Sequence, residues 1–362
     1  MIQIDLLIVG VDAQAKLPPV LNCTTRRPVA RFQRFCWNGQ LSNSPEIGGR
    51  ANEVHVMAEL PKRVLGRTGF AATVLGYGAM ELRGAPGGPR ISDDDAQKVL
   101  NAVLDAGINL IDTSIDYGRS EELIGRCIAH RRSEYFLASK CGCVPGAGMA
   151  AEHIHTAENI RKGVENSLRL MKTDYLDAVQ FHRSITRREF EEHGALESAL
   201  ALKREGKVRF IGVSGTLPNL DEQIGMGVFD VFQIPYSALQ RDHENVIARA
   251  SKAGAGILVR GGVARGAPSD WNSRGYYMVS SATMRERWEK ARLDELLGGM
   301  DRMEFMLRFT LANSDLDTTI VGTRDPAHLR QNIQAALKGP LPEDVMREAM
   351  RRLDQAGSRP EQ

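Results

Sequence analysis

Four polar residues in this 362-residue sequence are of types that one reaction could use together: Asp112, Tyr117, Lys140 and His182. A tyrosine with an ordinary pKa of ~10 is a poor proton donor or acceptor near neutrality. A neighbouring ammonium stabilises the phenolate and lowers that pKa, and a carboxylate in turn holds the ammonium in place. A histidine can donate to a substrate oxygen and orient it. The set reads as a carbonyl-polarising site, with Tyr117 as general acid, Lys140 tuning it, Asp112 fixing Lys140 and His182 aiming the carbonyl. None of these side chains supplies a hydride, so a redox reaction here needs a nicotinamide. Singly, each has a blander role as a helix cap, a solvated lysine or a satisfied core histidine. Convergence carries the reading, because buried ionisable groups are costly unless paired.

Convergence requires elements that bring the four to one place. Short apolar runs alternate with amphipathic stretches along the chain, and the pattern predicts strands at Val74–Ala79, Asn109–Ser114, Tyr135–Lys140, Leu176–His182, Arg209–Ser214, Val231–Pro235, Gly256–Arg260 and Thr319–Gly322. Helices are predicted near Asp93–Ala106, Ser120–Ala129, Ala157–Leu170, Arg187–Glu205, Glu244–Ala253 and Met303–Ala312. A short helix is expected at Asp221–Gly225 and a terminal one at Glu343–Gln355. Ahead of them, Lys62–Leu65 and Phe70–Val74 flank a Gly-containing turn and read as a hairpin. Eight strands separated by helices allow an open doubly wound sheet or a closed α/β barrel. No Gly-x-Gly-x-x-Gly follows the first strand, so the expectation is a (β/α)8 TIM barrel. In that fold chemistry sits at the C-terminal strand ends, where Asp112, Lys140 and His182 fall, with Tyr117 brought over by the adjoining loop.

Composition agrees with a soluble globular body: 42% of residues are hydrophobic and 25% charged. The formal net charge of +2 is accounted for by residues 1–56, where Lys16, Arg26, Arg27, Arg31, Arg34 and Arg50 face Asp5, Asp12, Glu46 and Glu53. The remainder is neutral and gives no reason to expect nucleic acid or an anionic membrane as partner. No apolar run approaches the ~18–20 residues that span a bilayer. Five cysteines suit reduced thiols in the cytoplasm better than a disulfide framework. Residues 1–56 lack any sustained period and read as a poorly structured extension, with the barrel assigned to 57–362. Met57 resembles an alternative start, and an over-long start, a disordered arm and a targeting segment all fit what precedes it. Cys141-Gly142-Cys143 lacks the further ligands that zinc needs, so no metal is expected.

From about Lys62 to Leu337 the sequence resembles the aldo-keto reductase family. The most specific segment is 107–125, GINLIDTSIDYGRSEELIG, which places the family's catalytic Asp at Asp112 and its Tyr at Tyr117. The family's Lys falls on Lys140 in Leu137-Ala138-Ser139-Lys140, and its His on His182 at the end of 174–182, DYLDAVQFH. The resemblance implies that the hairpin closes the barrel bottom and that an extended NADPH crosses the top. Nicotinamide would lie near Gly78, Ala79, Met80, Asp112, Ser214 and Gln233. The adenosine end would lie on Gly322, Thr323 and Arg324, then His328, Gln331 and Asn332. That last stretch is a strand end running into a helix start, which suits phosphate through backbone N–H groups and the dipole. Arg324 adds a planar fork for a 2′-phosphate.

The sequence departs from the family pattern at three points. Ser214 is followed by Gly215 where an Asn often contacts the carboxamide, Arg260 stands where an aromatic ring often faces the nicotinamide, and His328 stands where Arg or Gln often helps hold the 2′-phosphate. NADPH is favoured and NADH stays open. The implied activity is NAD(P)H-dependent reduction of an aldehyde or ketone, a small-molecule carbonyl substrate, with protein partners undefined. Two other readings remain: a cofactor-binding regulatory subunit, and an NAD-linked sugar or polyol dehydrogenase. The stretch from Val263 to Met284, with Trp271, Tyr276 and Tyr277, fits either a lid or ordinary packing on the barrel.

Overall fold

The computed structural model describes residues 59–183, 185–271 and 279–361. The extension assigned to residues 1–56 and the two tyrosines of the lid reading, Tyr276 and Tyr277, lie outside them. The hairpin is present as β1 (Lys62–Val64) and β2 (Ala71–Thr73), paired antiparallel. Strands and helices then alternate: β3 (Leu75–Gly78), α1 (Asp93–Asp105), β4 (Leu110–Asp112), α2 (Ser120–Cys127), β5 (Phe136–Cys141), α3 (Ala157–Met171) and β6 (Leu176–His182). They continue as α4 (Arg187–Glu192), α5 (Ala195–Arg204), β7 (Val208–Ser214), α6 (Leu220–Gly225), β8 (Val231–Pro235), α7 (Glu244–Lys252) and β9 (Gly256–Arg260). The chain ends in α8 (Ser281–Lys290), α9 (Arg302–Leu311), β10 (Thr318–Val321), α10 (Pro326–Leu337) and α11 (Glu343–Gln355). Strands β3 to β10 are parallel neighbours, and β10 pairs with β3 to close an eight-stranded barrel. No helix among the described residues is long and apolar enough to cross a membrane.

Local chemistry explains the boundaries. Helix α1 starts where Ser92 Oγ accepts from the Asp95 N–H, with three aspartates in its first turn. The single helix expected over 187–205 is two, α4 and α5, because Gly194 takes a left-handed φ of +66° and breaks the ladder. Helix α8 begins at the end of the Val263–Met284 stretch and runs beyond it; Ser280 caps it by accepting from the Thr283 N–H. Trp271 packs edge-on against Trp288 of α8, 6.3 Å between ring centroids, while Val263, Arg265, Pro268 and Asp270 of the same stretch line the cleft at the barrel mouth.

The barrel interior is layered by the two-residue period of its strands. Leu110, Phe136, Ala138, Ala178, Val231 and Leu258 form a buried apolar cluster, and Leu65 of the hairpin turn packs into it. Further bonds fasten the hairpin to the N-terminal strand ends, with Asn109 Nδ2 donating to Ala71 O at 2.9 Å and the Arg67 N–H to Gly254 O at 2.8 Å. Two residues further along the same strands stand Asp112, Lys140, Gln180 and Gln233, about 7 Å higher. The alternation thus changes from an apolar plug to a polar layer within one repeat.

At the mouth β3 and β10 approach closely. A Cβ on Gly322 would lie 2.6 Å from Gly78 O, whereas a Cβ on Gly78 would find nothing nearer than 3.6 Å. Gly322→Ala should therefore cost about 1–3 kcal/mol through forced backbone movement, and Gly78→Ala much less. Urea denaturation midpoints of the two variants measure the difference.

Candidate functional site

Each expected catalytic residue occupies a C-terminal strand end or the loop that follows. Asp112 ends β4, Lys140 lies next to the end of β5, His182 ends β6, and Tyr117 sits in the β4–α2 loop. The Asp112 carboxylate is the hub. Its Oδ2 accepts from Lys140 Nζ at 2.7 Å, and its Oδ1 accepts from Gln180 Nε2 and Gln233 Nε2, both at 2.8 Å. Lys140 also donates to Thr113 O at 2.8 Å, and its Nζ stands 5.3 Å from the centroid of the Tyr117 ring. The Lys140 and Asp112 side chains are 0% and 3% exposed, so each charge depends on the other and on the amides around them. The rings of Tyr117 and His182 meet edge to face at 6.3 Å.

Protonation states follow from dryness. Burial pushes the Tyr117 hydroxyl well above the usual tyrosine range, helped by the carboxylates of Asp112 and Asp116 and opposed in part by Arg260. The depression expected from Lys140 is thus outweighed, and Tyr117 is held protonated. His182 moves the other way: burial, then the positive charge of Lys140, keeps it well below the ordinary histidine value and neutral. A protonated phenol beside a neutral imidazole offers two hydrogen-bond donors to one oxygen.

Asp112, Tyr117 and His182 line one cleft of about 2000 Å³ that continues to α10. Eleven of the twelve expected cofactor residues line it as well: Gly78, Met80, Ser214, Gln233, Arg260, Gly322, Thr323, Arg324, His328, Gln331 and Asn332. Ala79 does not. It is fully buried, and its carbonyl accepts from Ser120 Oγ at 2.9 Å. Ser214 and Gln233 are tied to the hub, since Ser214 Oγ donates to Gln233 Oε1 at 2.9 Å and Gln233 donates onward to Asp112. At the far end Arg324, His328 and Gln331 are exposed, and Arg324 Nη1 donates to Arg90 O at 3.1 Å. The start of α10 offers fewer donors than the sequence suggests, because Pro326 has no N–H and the Ala327 N–H bonds to the Asp325 carboxylate at 2.7 Å.

Three site residues escape the sequence reading. Gln180 looks like one more alternating strand residue until its amide is found on Asp112. Asp116 and His153 join Cys143 and His182 in a compact cluster whose members come from four separate positions along the chain. The only local signal is the run His153-Ile154-His155 ten residues beyond Cys143.

The buried pair generates a stability prediction. Lys140→Met leaves Asp112 charged without its cation and should cost about 3–5 kcal/mol. The double variant Asp112→Leu/Lys140→Met, with neither charge, should be more stable than that single variant. Denaturant unfolding of the three proteins measures the non-additivity.

Comparison with known proteins agrees with this geometry. A family model described as "Aldo/keto reductase family" matches residues 74–353. An oxidoreductase of Bacillus subtilis, YqkF, is 27% identical over 79% of this chain and 94% of its own length. L-galactose dehydrogenase of Arabidopsis thaliana is 28% identical over 77% of this chain and 89% of its own. Among solved structures, the holo form of aldo-keto reductase AKR11C1 from Bacillus halodurans superposes with a TM-score of 0.70, at 25% identity, over 81% of this chain and 96% of that one. A closed eight-stranded barrel with Asp112, Tyr117, Lys140 and His182 gathered at its mouth, matched over 74–353, places this chain in the aldo/keto reductase family of oxidoreductases.

Proposed function

We propose that the protein reduces an aldehyde or ketone to the alcohol, using a nicotinamide cofactor and Tyr117 as the general acid. The observation that carries this reading is the convergence of Tyr117, Lys140, Asp112 and His182 at one end of the barrel. The residues fit a dinucleotide: the cleft is large enough for one beside a substrate, and it ends at the exposed guanidinium of Arg324. When bound, the nicotinamide supplies the hydride that no side chain here can. Gly78, Met80, Ser214, Gln233 and Arg260 would hold its ring end, and Arg324, His328, Gln331 and Asn332 its adenosine end.

The chain's own residues then have separate tasks. The neutral His182 ring orients the carbonyl oxygen toward Tyr117. Tyr117 Oη donates its proton as negative charge develops on that oxygen. Lys140 stands beside the phenol and stabilises the phenolate left behind. Asp112 holds Lys140 in place, and Gln180 and Gln233 hold Asp112. At the β3–β10 junction, where Gly78 and Gly322 line the cleft, the absent Cβ of Gly322 lets the two backbones approach closely.

A specific observation favours a second reading in which an alcohol is oxidised. Relatives with dehydrogenase names include L-galactose dehydrogenase and the pyridoxine 4-dehydrogenase of Escherichia coli, the latter 28% identical over 75% of this chain. In that direction Tyr117 must lose its proton first, against the burial that holds it.

Tyr117→Phe should lower kcat for carbonyl reduction by about 10²–10⁴-fold and leave cofactor affinity within a factor of two or three. Near-normal turnover of the variant on every substrate the parent reduces would remove Tyr117 from the mechanism. Arg324→Ala should weaken NADPH binding about tenfold through loss of a charge-assisted contact and leave NADH binding unchanged. Fluorescence titration with both cofactors checks this, and equal NADPH affinity in the variant places the 2′-phosphate elsewhere.

A further inference from the structure

Beside the carbonyl site, and unused by it, lie Asp116 and Cys143 together with His153, all turned toward the inner edge of His182. One donor atom from each of these residues lies within 4.8 Å of all the others. Cys143 Sγ is 3.2 Å from His182 Nδ1 and 3.3 Å from His153 Nε2, and the two ring nitrogens are 3.1 Å apart. Asp116 Oδ2 stands 3.6 Å from His182 Nδ1 and 3.8 Å from His153 Nε2. The cluster is enclosed: Cys143 is 1% exposed, and the side chains of Asp116 and His153 are each 4% exposed.

Hydrogen bonding alone does not account for this packing. A neutral imidazole nitrogen has either one N–H or one lone pair, directed in the ring plane. In the triangle of Sγ, Nε2 and Nδ1, one proton and one lone pair would each have to serve two neighbours. A central cation removes the conflict, because every lone pair can then point at the same centre. The spacing suits it. Bonds of about 2.0–2.1 Å to nitrogen, 2.0–2.2 Å to oxygen and 2.3 Å to sulfur put tetrahedral ligand atoms roughly 3.3–3.6 Å apart. The distances among the two ring nitrogens, the sulfur and the carboxylate given above run from 3.1 to 3.8 Å, and the Asp116–Cys143 edge, within 4.8 Å, would tighten on binding. The other Asp116 oxygen is already occupied, accepting from Ser114 Oγ at 2.5 Å, which leaves Oδ2 facing the histidines.

We propose that Asp116 Oδ2, Cys143 Sγ, His153 Nε2 and His182 Nδ1 bind one zinc ion. One thiolate, two imidazoles and one carboxylate in a closed tetrahedron suit zinc, whereas magnesium and calcium take oxygen ligands and octahedral or larger shells. The ion does not touch the substrate; it positions a residue that does. With Nδ1 on the metal, the His182 ring carries its proton on Nε2, so the donor edge left for the carbonyl oxygen is fixed rather than shared between tautomers. This role for His182 rests on the carbonyl-reduction reading, whereas the site itself does not.

The test uses the full chain, stripped with a chelator and titrated with cobalt(II), then with zinc. The expected result is one cobalt per chain, with the visible bands of a tetrahedral ion and a thiolate-to-cobalt band in the near ultraviolet, displaced by one zinc. Cys143→Ser should lose the thiolate band, and His153→Ala should bind about tenfold or more weakly. Substoichiometric uptake, an octahedral spectrum, or a thiolate band that persists in Cys143→Ser overturns the site. Equal carbonyl turnover by stripped and zinc-loaded enzyme overturns the role given to His182 and leaves the site standing. An intact cobalt spectrum in a protein that turns over no carbonyl with either cofactor counts against the proposed function and not against the metal.

Discussion

The interaction on which the mouth of this barrel depends is the buried pair between Asp112 and Lys140. Neither charge touches water, so each would be prohibitively costly alone, and the pair is tolerable only when its remaining donors and acceptors are matched. The matching recruits the surrounding strands. Asp112 comes from β4, Lys140 from β5, Gln180 from β6 and Gln233 from β8, while Ser214 of β7 fixes the Gln233 amide. Five adjacent strands are therefore held in register by one carboxylate. The hydrogen bonds that satisfy the charge also aim Lys140 beneath Tyr117.

That layer exists because of what lies below it. Leu110, Ala138, Ala178 and Val231 close the barrel with apolar side chains, and Leu65 of the hairpin packs among them at the N-terminal end. Water has no route upward through such a plug, so the polar layer is desolvated from beneath and meets solvent only through the cleft. The pKa directions at the site follow. A phenol and an imidazole packed over that layer, at the floor of the cleft, both favour their neutral forms, Tyr117 by rising and His182 by falling.

How much of this is legible in the sequence depends on whether the deciding fact is local. Strands β6, β8 and β9 can be read to the residue, because a short apolar run bounded by polar or turn residues is a local pattern. Asp112, Lys140 and His182 are legible as strand-end polar residues in a fold whose chemistry sits at strand ends. Gln180 is not, since a glutamine in an alternating strand looks the same whether it faces solvent or a buried carboxylate. The protonation of Tyr117 reads in the wrong direction, because the sequence displays the neighbouring charge and conceals the burial that outweighs it. His153 is hidden for another reason. It lies in a segment without period, and only the folded path of residues 142–156 returns it to Cys143.

The two clusters that share His182 both bear on Tyr117. Asp116 helps raise the Tyr117 pKa, adding its negative charge to that of Asp112. A divalent ion held by the Asp116 carboxylate, the Cys143 thiolate and two neutral imidazoles leaves the site formally neutral, so the carboxylate no longer adds its negative charge beside the phenol. The zinc-loaded site would therefore remove one charge that opposes loss of the proton from Tyr117, while His182 presents a fixed donor to the same oxygen. Both effects act where negative charge develops during carbonyl reduction, so the ion would contribute to proton transfer without ever meeting the substrate.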